Sequence, residues 1–264
     1  MIGHTNGELP VDPVVPSASF TALLRSRGLE PRWTVPPEAA ALEPPEGTTI
    51  LAFRYADGVL MAGDRRATAG NVIAHRSLQK VFPADGVSAV AISGTAGIAI
   101  ELIRLFQTEL EHYEKLEGSR LSLEGKANHL AAMVRAQLPM AFQGLVVVPL
   151  FCGFDVPAGR GRLYSYDVVG GRYEETDFTA SGSGGPYAKA HLRGAFRDGL
   201  SEAEALQVAV EALVAAAEED SATGGPDLQR GIYPNVVVIT AAGYRDLPEE
   251  EVAAAARRAL GEVR

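Results

Sequence analysis

The residues best suited to chemistry are Gly47 and Thr48 in PPEGTTILAF, Asp64 in MAGDRRAT, Lys80 in SLQKVF and Gly94 in ISGTAG. A threonine hydroxyl is a poor nucleophile until a base takes its proton, and a threonine at a chain's N-terminus carries its own base, the α-amine. That amine has a reference pKa of about 7.7–8.0, close to neutrality, where a general base works best. If the Gly47–Thr48 bond is cut, Thr48 becomes both nucleophile and proton acceptor. Gly47 suits the preceding position, because a residue without Cβ permits a strained turn and a close approach of the Thr48 hydroxyl to its carbonyl. A Gly-Thr-Thr at a strand start is by itself weak evidence, since it also fits a plain domain boundary.

Three downstream features shift that balance. Asp64 closes the segment GVLMAGD, which returns it beside the start of its partner strand. Lys80 lies in an otherwise apolar, strand-like segment where a solvated lysine is unexpected. A buried lysine needs a partner, and Asp64 is placed to supply one. The lysine's charge near the Thr48 amine would disfavour the ammonium and enrich the free base. Ser93-Gly94-Thr95 reads as a strand-to-helix turn, where the Gly94 N–H can serve as an oxyanion donor. The plainer alternative makes Asp64 a turn residue paired only with Arg65 or Arg66.

Other chemistries find little support. There is no G-x-S-x-G elbow, no Walker phosphate loop and no H-E-x-x-H zinc helix. The five histidines (His4, His75, His112, His129, His191) are scattered, and His112 and His129 read as solvated helix surface. No metal or cofactor is implied. A net charge of −9 argues against a nucleic-acid partner. The single cysteine, Cys152 in LVVVPLFCGF, reads as a buried small hydrophobe, excludes an internal disulfide and suits a reducing compartment. No apolar run reaches the ~18 residues that suggest a membrane span. Residues 1–47 lack a basic segment followed by an apolar one, so they do not read as a secretory signal. The expected location is the cytoplasm, with no membrane partner.

The elements that must position these residues follow from hydrophobic periodicity. Eight of the sixteen prolines fall within residues 1–47, which predicts a mostly extended arm with one short helix around Phe20, Leu23 and Leu24, and Trp33 as an anchor. After Thr48 come hairpins at Asp57-Gly58 and Asp85-Gly86, where Asp-Gly is expected to supply positive φ angles. Two amphipathic helices follow, one along Ala99, Leu102, Ile103, Phe106, Leu110 and Tyr113 and stopped by Gly118. The second runs along Ala127, Leu130, Ala131, Val134, Leu138 and Ala141. LVVVPLFCGFD and a hairpin around Gly170-Gly171 return to strand. Helices at about 185–198 and 201–219 come next, the second with Ser201 and Glu204 in capping-box spacing. NVVVITAAG is a last strand before a helix starting near Pro248. Hairpin-linked strands with helices in blocks predict an α+β fold: two antiparallel sheets stacked on each other, with helix pairs outside, an αββα sandwich of four layers.

The chain from 48 to 240 resembles the β-subunits of the 20S proteasome, which are N-terminal-nucleophile hydrolases. The resemblance is carried by GTTI at 47–50, AGDRRAT at 62–68, the lysine of QKVF, SGTAG at 93–97, SGSG at 181–184 and DSATGGPDLQRGIYP at 220–234. The last stretch looks like the actinobacterial type. The resemblance implies a pro-segment at 1–47, removed on maturation, and a hydrolase domain at 48–264. It implies Thr48 as nucleophile, Asp64 and Lys80 as the charge pair that sets its protonation, and Gly94 as oxyanion donor. Ser183 would hydrogen-bond near the Thr48 amine, with Asp220 nearby. Thr223 stands where the family commonly has serine and keeps the hydroxyl. Thr68 and Ala96 would bind substrate backbone as an added strand, and Ala67, Leu78, Ile92 and Ala96 would line an apolar S1 pocket. Plainer readings make Ser183 and Gly184 helix-cap residues and Asp220 a helix end.

The same resemblance implies the assembly: two seven-membered rings of β-subunits stacked between two rings of α-subunits, fed by a ring ATPase with proteins carrying a small ubiquitin-like tag. Two alternatives remain: the six-membered-ring relative, which is usually shorter and lacks DSATGGPDL, and a non-catalytic ring subunit. Joint retention of Thr48, Asp64, Lys80 and Gly94 argues against the second.

Overall fold

The computed structural model describes residues 47–261, so the predicted arm helix at Phe20–Leu24 and the Trp33 anchor lie outside the described residues. Along the chain, β1 (Thr49–Tyr55) and β2 (Gly58–Gly63) form the first hairpin, and β3 (Ala67–Ala69) and β4 (Val72–His75) a small second one. Then come β5 (Val81–Asp85), β6 (Ser88–Gly94), and helices α1 (Ala96–Glu117), α2 (Leu123–Ala136) and the single turn α3 (Leu138–Ala141). Strands β7 (Val147–Asp155), β8 (Arg160–Tyr166), β9 (Arg172–Glu175) and β10 (Phe178–Gly182) lead to α4 (Gly185–Ala195) and α5 (Glu202–Glu219). The described chain closes with β11 (Asn235–Thr240), β12 (Gly243–Asp246) and α6 (Glu249–Ala259).

The strands form two five-stranded antiparallel sheets, ordered β10-β1-β2-β11-β12 and β5-β6-β7-β8-β9. Alternation along β1 shows how they stack. Ile50 and Ala52 join Val59, Met61, Ala91, Leu150, Cys152 and Leu163 in a core between the sheets. Leu51 and Phe53, on the opposite face, join Leu192, Leu206, Leu213 and Val252 from α4, α5 and α6. On the far side, Val90, Ile92, Phe151 and Tyr164 pack under Leu102, Ile103, Phe106 and Leu130 from α1 and α2. The central strands are therefore buried on both faces, which is why they read as continuous apolar runs. The expected α+β layering holds, except that three helices, not a pair, cover the first sheet.

Several local expectations need correction. Both hairpins turn on two residues, Ala56-Asp57 and Gly86-Val87. No φ is positive at either turn, so positive φ at Asp-Gly is not the device. Gly58 is instead required by a close approach of β11, because a Cβ there would run into the Ile239 carbonyl. The second helix ends at Ala136, not Ala141; Pro139 lacks the N–H to continue it and starts the separate turn α3. The strands β3, β4, β10 and β12 were not anticipated: at three to five residues each they are too short to show an apolar alternation. The Ser201–Glu204 capping box of α5 and the left-handed Gly118 ending α1 form as expected.

Lys126 of α2 reaches the β5–β6 turn, where its Nζ lies 2.5 Å from Asp85 Oδ2, with side chains 3% and 15% exposed. Burial pushes the Asp85 pKa up, but the Lys126 bond and charge outweigh it, and the carboxyl ends below its ordinary 3.8. Its stabilisation is therefore complete above the unfolded pKa and is lost as pH falls through the lower folded value. Lys126→Met should cost about 3 kcal/mol at pH 7. Urea unfolding should also show a smaller difference between variant and parent at pH 3 than at pH 7.

Candidate active site

The sheet register brings distant sequence positions to one end of the sandwich. Thr48 immediately precedes β1, whose first residues pair with the ends of β2 (Ile50 with Gly63) and β10 (Thr49 with Gly182). Asp64 and Ser183, the residues just after those ends, therefore flank Thr48. In the second sheet Lys80 immediately precedes β5, and Gly94 ends the antiparallel β6 beside it. Asp220 caps the C-terminus of α5 at the same end.

Asp64 and Lys80 are almost wholly buried. Oδ1 of Asp64 accepts from Lys80 Nζ at 2.6 Å and from the Thr49 N–H at 2.7 Å. Oδ2 accepts from the N–H groups of Arg66 and Gly224, each at 2.9 Å. Asp64 thus pairs with Lys80, and its bond to Arg66 is to backbone, not to the guanidinium. Lys80 Nζ also donates to the Arg66 carbonyl at 2.5 Å and to the Gly47 carbonyl at 3.2 Å. Three acceptors use all three ammonium protons. Burial lowers the Lys80 pKa from its ordinary 10.5, and the charge and hydrogen bond of Asp64 oppose that.

Thr48 is 6% exposed, and its Oγ1 donates to the Gly47 carbonyl at 2.7 Å. One carbonyl oxygen therefore faces both the threonine hydroxyl and the lysine ammonium. Gly47 has φ +153°, and a Cβ there would meet Thr68 Oγ1 at 2.5 Å and Ala222 Cβ at 2.7 Å, so the position excludes a side chain. The Thr48 N–H points at Ser183 Oγ, 3.4 Å away. Ser183 Oγ donates to Asp220 Oδ2 at 2.6 Å, as does Thr223 Oγ1, also at 2.6 Å. Ser183 is not a helix cap: the cap of α4 is Gly184, with no side-chain bond. Asp220 does end α5, and it also gathers both hydroxyls.

Of the residues expected around a substrate, Leu78 and Ile92 lie next to Lys80 in the backbone network. Leu78 exchanges bonds with Arg65 (N–H to the Arg65 carbonyl at 2.9 Å, carbonyl from Arg65 Nε at 3.1 Å), and the Ile92 N–H meets the Lys80 carbonyl at 3.0 Å. Strand alternation turns the Gly94 N–H to the same side of β6 as the Ile92 N–H. Ala67, Thr68 and Ile92 are buried, with Ile92 in the core beneath α1; Leu78 and Ala96 are half-buried. Of the described histidines, His75 lies opposite Ala67 across β3 and β4, and His112, His129 and His191 lie on helices. His112 is exposed, but His129 is half-buried, bonded to Glu109 and stacked on Phe106, not solvated surface as expected. Cys152 is fully buried, and burial pushes its thiol pKa far up.

Two contributors were missed from sequence. Arg66 supplies a carbonyl to Lys80, and its guanidinium holds the Ser221 and Thr223 carbonyls at 3.0 and 3.2 Å. Thr49 gives its N–H to Asp64 and its hydroxyl to Thr223, 2.5 Å away. Their only sequence signal is adjacency, as the second arginine of DRR and the second threonine of GTT.

Residues 45–227 match the proteasome subunit family. The chain belongs to that family. The matched segment contains every residue of the cluster, from Gly47 to Thr223. Among curated relatives, the chain is 51% identical to a proteasome subunit beta of Streptomyces griseus over 261 residues, covering 97% of this chain and 93% of that one. It is 56% identical to a proteasome subunit beta of Acidothermus cellulolyticus over 237 residues, covering 88% and 82% respectively. The proteasome-family match and the antiparallel layered architecture agree on the fold.

Proposed function

We propose that this chain is a catalytic β-subunit of a 20S proteasome core, a threonine peptidase that cuts its own Gly47–Thr48 bond. The observation that carries this reading is the Gly47 carbonyl held between Thr48 Oγ1 and Lys80 Nζ, with Lys80 anchored on buried Asp64. Attack of Thr48 Oγ on the Gly47 carbonyl carbon closes a five-membered ring and places the developing oxyanion against Lys80 Nζ. Collapse breaks the C–N bond, the hydroxyl proton ends on the departing nitrogen, and water hydrolyses the resulting ester. Residues 1–47 leave as a pro-segment, and the freed amine serves as base for later peptide substrates. Lys80 disfavours the ammonium form of that amine.

The partners in this reading are other β-subunits, rings of α-subunits, a ring ATPase and tagged cytoplasmic proteins. An unselective peptidase needs such a compartment to spare folded proteins. The reading is tested by treating the assembled particle with a threonine-directed epoxyketone and mapping the adduct by mass spectrometry. Modification of Thr48 at a new N-terminus supports it; an unmodified particle with the 47–48 bond intact refutes it.

Ala67, Leu78, Ile92 and Ala96 are all apolar, so cleavage after apolar residues is expected. A panel of fluorogenic peptides differing only at P1 should show kcat/KM about tenfold higher for leucine or tyrosine than for aspartate or lysine. Faster cleavage after a charged residue would overturn this assignment of the pocket.

A further inference from the structure

We propose that Thr49, the residue after the nucleophile, is a positioning residue whose hydroxyl orients the Thr48 nitrogen through Thr223, Asp220 and Ser183; this rests on the threonine-peptidase reading. The chain of contacts is continuous. Thr49 Oγ1 lies 2.5 Å from Thr223 Oγ1, Thr223 and Ser183 each reach Asp220 Oδ2 at 2.6 Å, and Ser183 Oγ faces the Thr48 nitrogen at 3.4 Å.

Proton counting sets the direction of every bond. A hydroxyl has one proton, and a carboxylate only accepts. Ser183 and Thr223 both spend their proton on Asp220. Thr223 Oγ1 is then an acceptor only, so Thr49 must donate to it. Ser183 Oγ is likewise left to accept, which is what the Thr48 nitrogen requires, as an amide N–H before cleavage and as an amine afterwards. The Thr48 carbonyl, 3.5 Å from the same Ser183 oxygen, receives no proton from it. Holding one N–H of the amine on Ser183 leaves its lone pair free for the Thr48 hydroxyl proton.

Thr49 is built for this linkage. Both it and Thr223 are wholly buried, so their hydroxyls have no water to fall back on. The Thr49 N–H is fixed on Asp64 at 2.7 Å, so one residue joins the Lys80–Asp64 pair to the Asp220–Ser183 pair, with Thr48 beside both. Gly184 leaves the space the two hydroxyls occupy: a Cβ there would collide with Thr49 Oγ1. The second threonine and the last glycine of SGSG thus serve one hydrogen bond.

The test uses assembled particles carrying Thr49→Val, which keeps the volume and loses the hydroxyl, and Thr49→Ser, which does the reverse. Thr223→Val and the Thr49→Val/Thr223→Val double variant complete the set, with kcat counted per epoxyketone-titrated site. The expected result is a roughly tenfold lower kcat for Thr49→Val with KM within about twofold, and Thr49→Ser within about twofold of the parent. Adding Thr49→Val to Thr223→Val should cost less than about twofold, because the link is already cut. Parental kcat in Thr49→Val, equal impairment in Thr49→Ser, or full additivity in the double variant overturns the proposal. If a variant stays uncut at Gly47, the rate of that cleavage is read instead, with the same order expected and the same outcomes decisive. A Thr48→Ala control separates the two claims. Activity in Thr48→Ala sinks the threonine-peptidase reading itself, whereas an inactive control beside a fully active Thr49→Val sinks only the role of Thr49.

Discussion

Thr48→Ala should leave the chain uncut between residues 47 and 48 and lower peptidase activity by about four orders of magnitude or more. The substitution removes the hydroxyl that donates to the Gly47 carbonyl, 2.7 Å away, and leaves the buried Lys80–Asp64 pair in place. Folding and ring assembly should therefore survive, so loss of activity reports chemistry and not collapse. Intact mass of the purified chain and a fluorogenic peptide assay on the same particles make the measurement. Thr48→Ser keeps an oxygen at that position and should still be processed. Appearance of a mature N-terminus at residue 48 in Thr48→Ala would show that another agent cuts the bond, and the self-cleavage step would have to be abandoned.

Lys80→Met should be damaging twice over. The ammonium satisfies Asp64, Arg66 and Gly47 oxygens at 2.6, 2.5 and 3.2 Å, and all three acceptors lose that donor together. Asp64 is 0% exposed and, among the described residues, keeps three backbone N–H donors and no salt-bridge partner, so its charge is left buried. Breaking a buried pair from one side costs about 3–5 kcal/mol. Loss of the oxyanion contact and of the charge beside Thr48 should lower processing and turnover by about a thousandfold. Lys80→Arg tests whether charge alone suffices. Its planar fork does not match three acceptors arranged about one nitrogen, so activity should stay at least about a hundredfold below the parent. Denaturant unfolding and single-turnover acylation separate the two effects; a stable, fully active Lys80→Met would remove Lys80 from the mechanism.

What could be read along the chain depended on how locally each feature is specified. Lys80 could be proposed because a lysine is out of place in an apolar strand start, and Asp64 because the hairpin returns it as a partner. Gly94 could be proposed because it sits at a strand-to-helix turn, and Thr48 because a freed N-terminal threonine carries its own base. Ser183, Asp220 and Thr223 came only through family resemblance, since a serine beside glycines or an aspartate at a helix end has commoner local uses. Thr49 carried no signal, because a threonine opening a strand is ordinary. Strand β10 was missed for a related reason. FTASG is short and half polar, and it becomes a strand by pairing with β1.

Apolar runs, helical faces and Ser201 and Gly118 at helix boundaries specify the longer strands and helices locally, in the sequence alone. The same local reading picks out Thr48 as a candidate nucleophile and Asp64 and Lys80 as a buried charge pair. That positions 48, 64, 80, 183, 220 and 223 meet follows from the packing of the two sheets. That meeting depends on β2 and β10 flanking β1 in one register, and a slip of one residue would turn each side chain to the opposite face of its sheet. Register is set by which faces are buried across two sheets at once, a property of the packed molecule that no single segment carries.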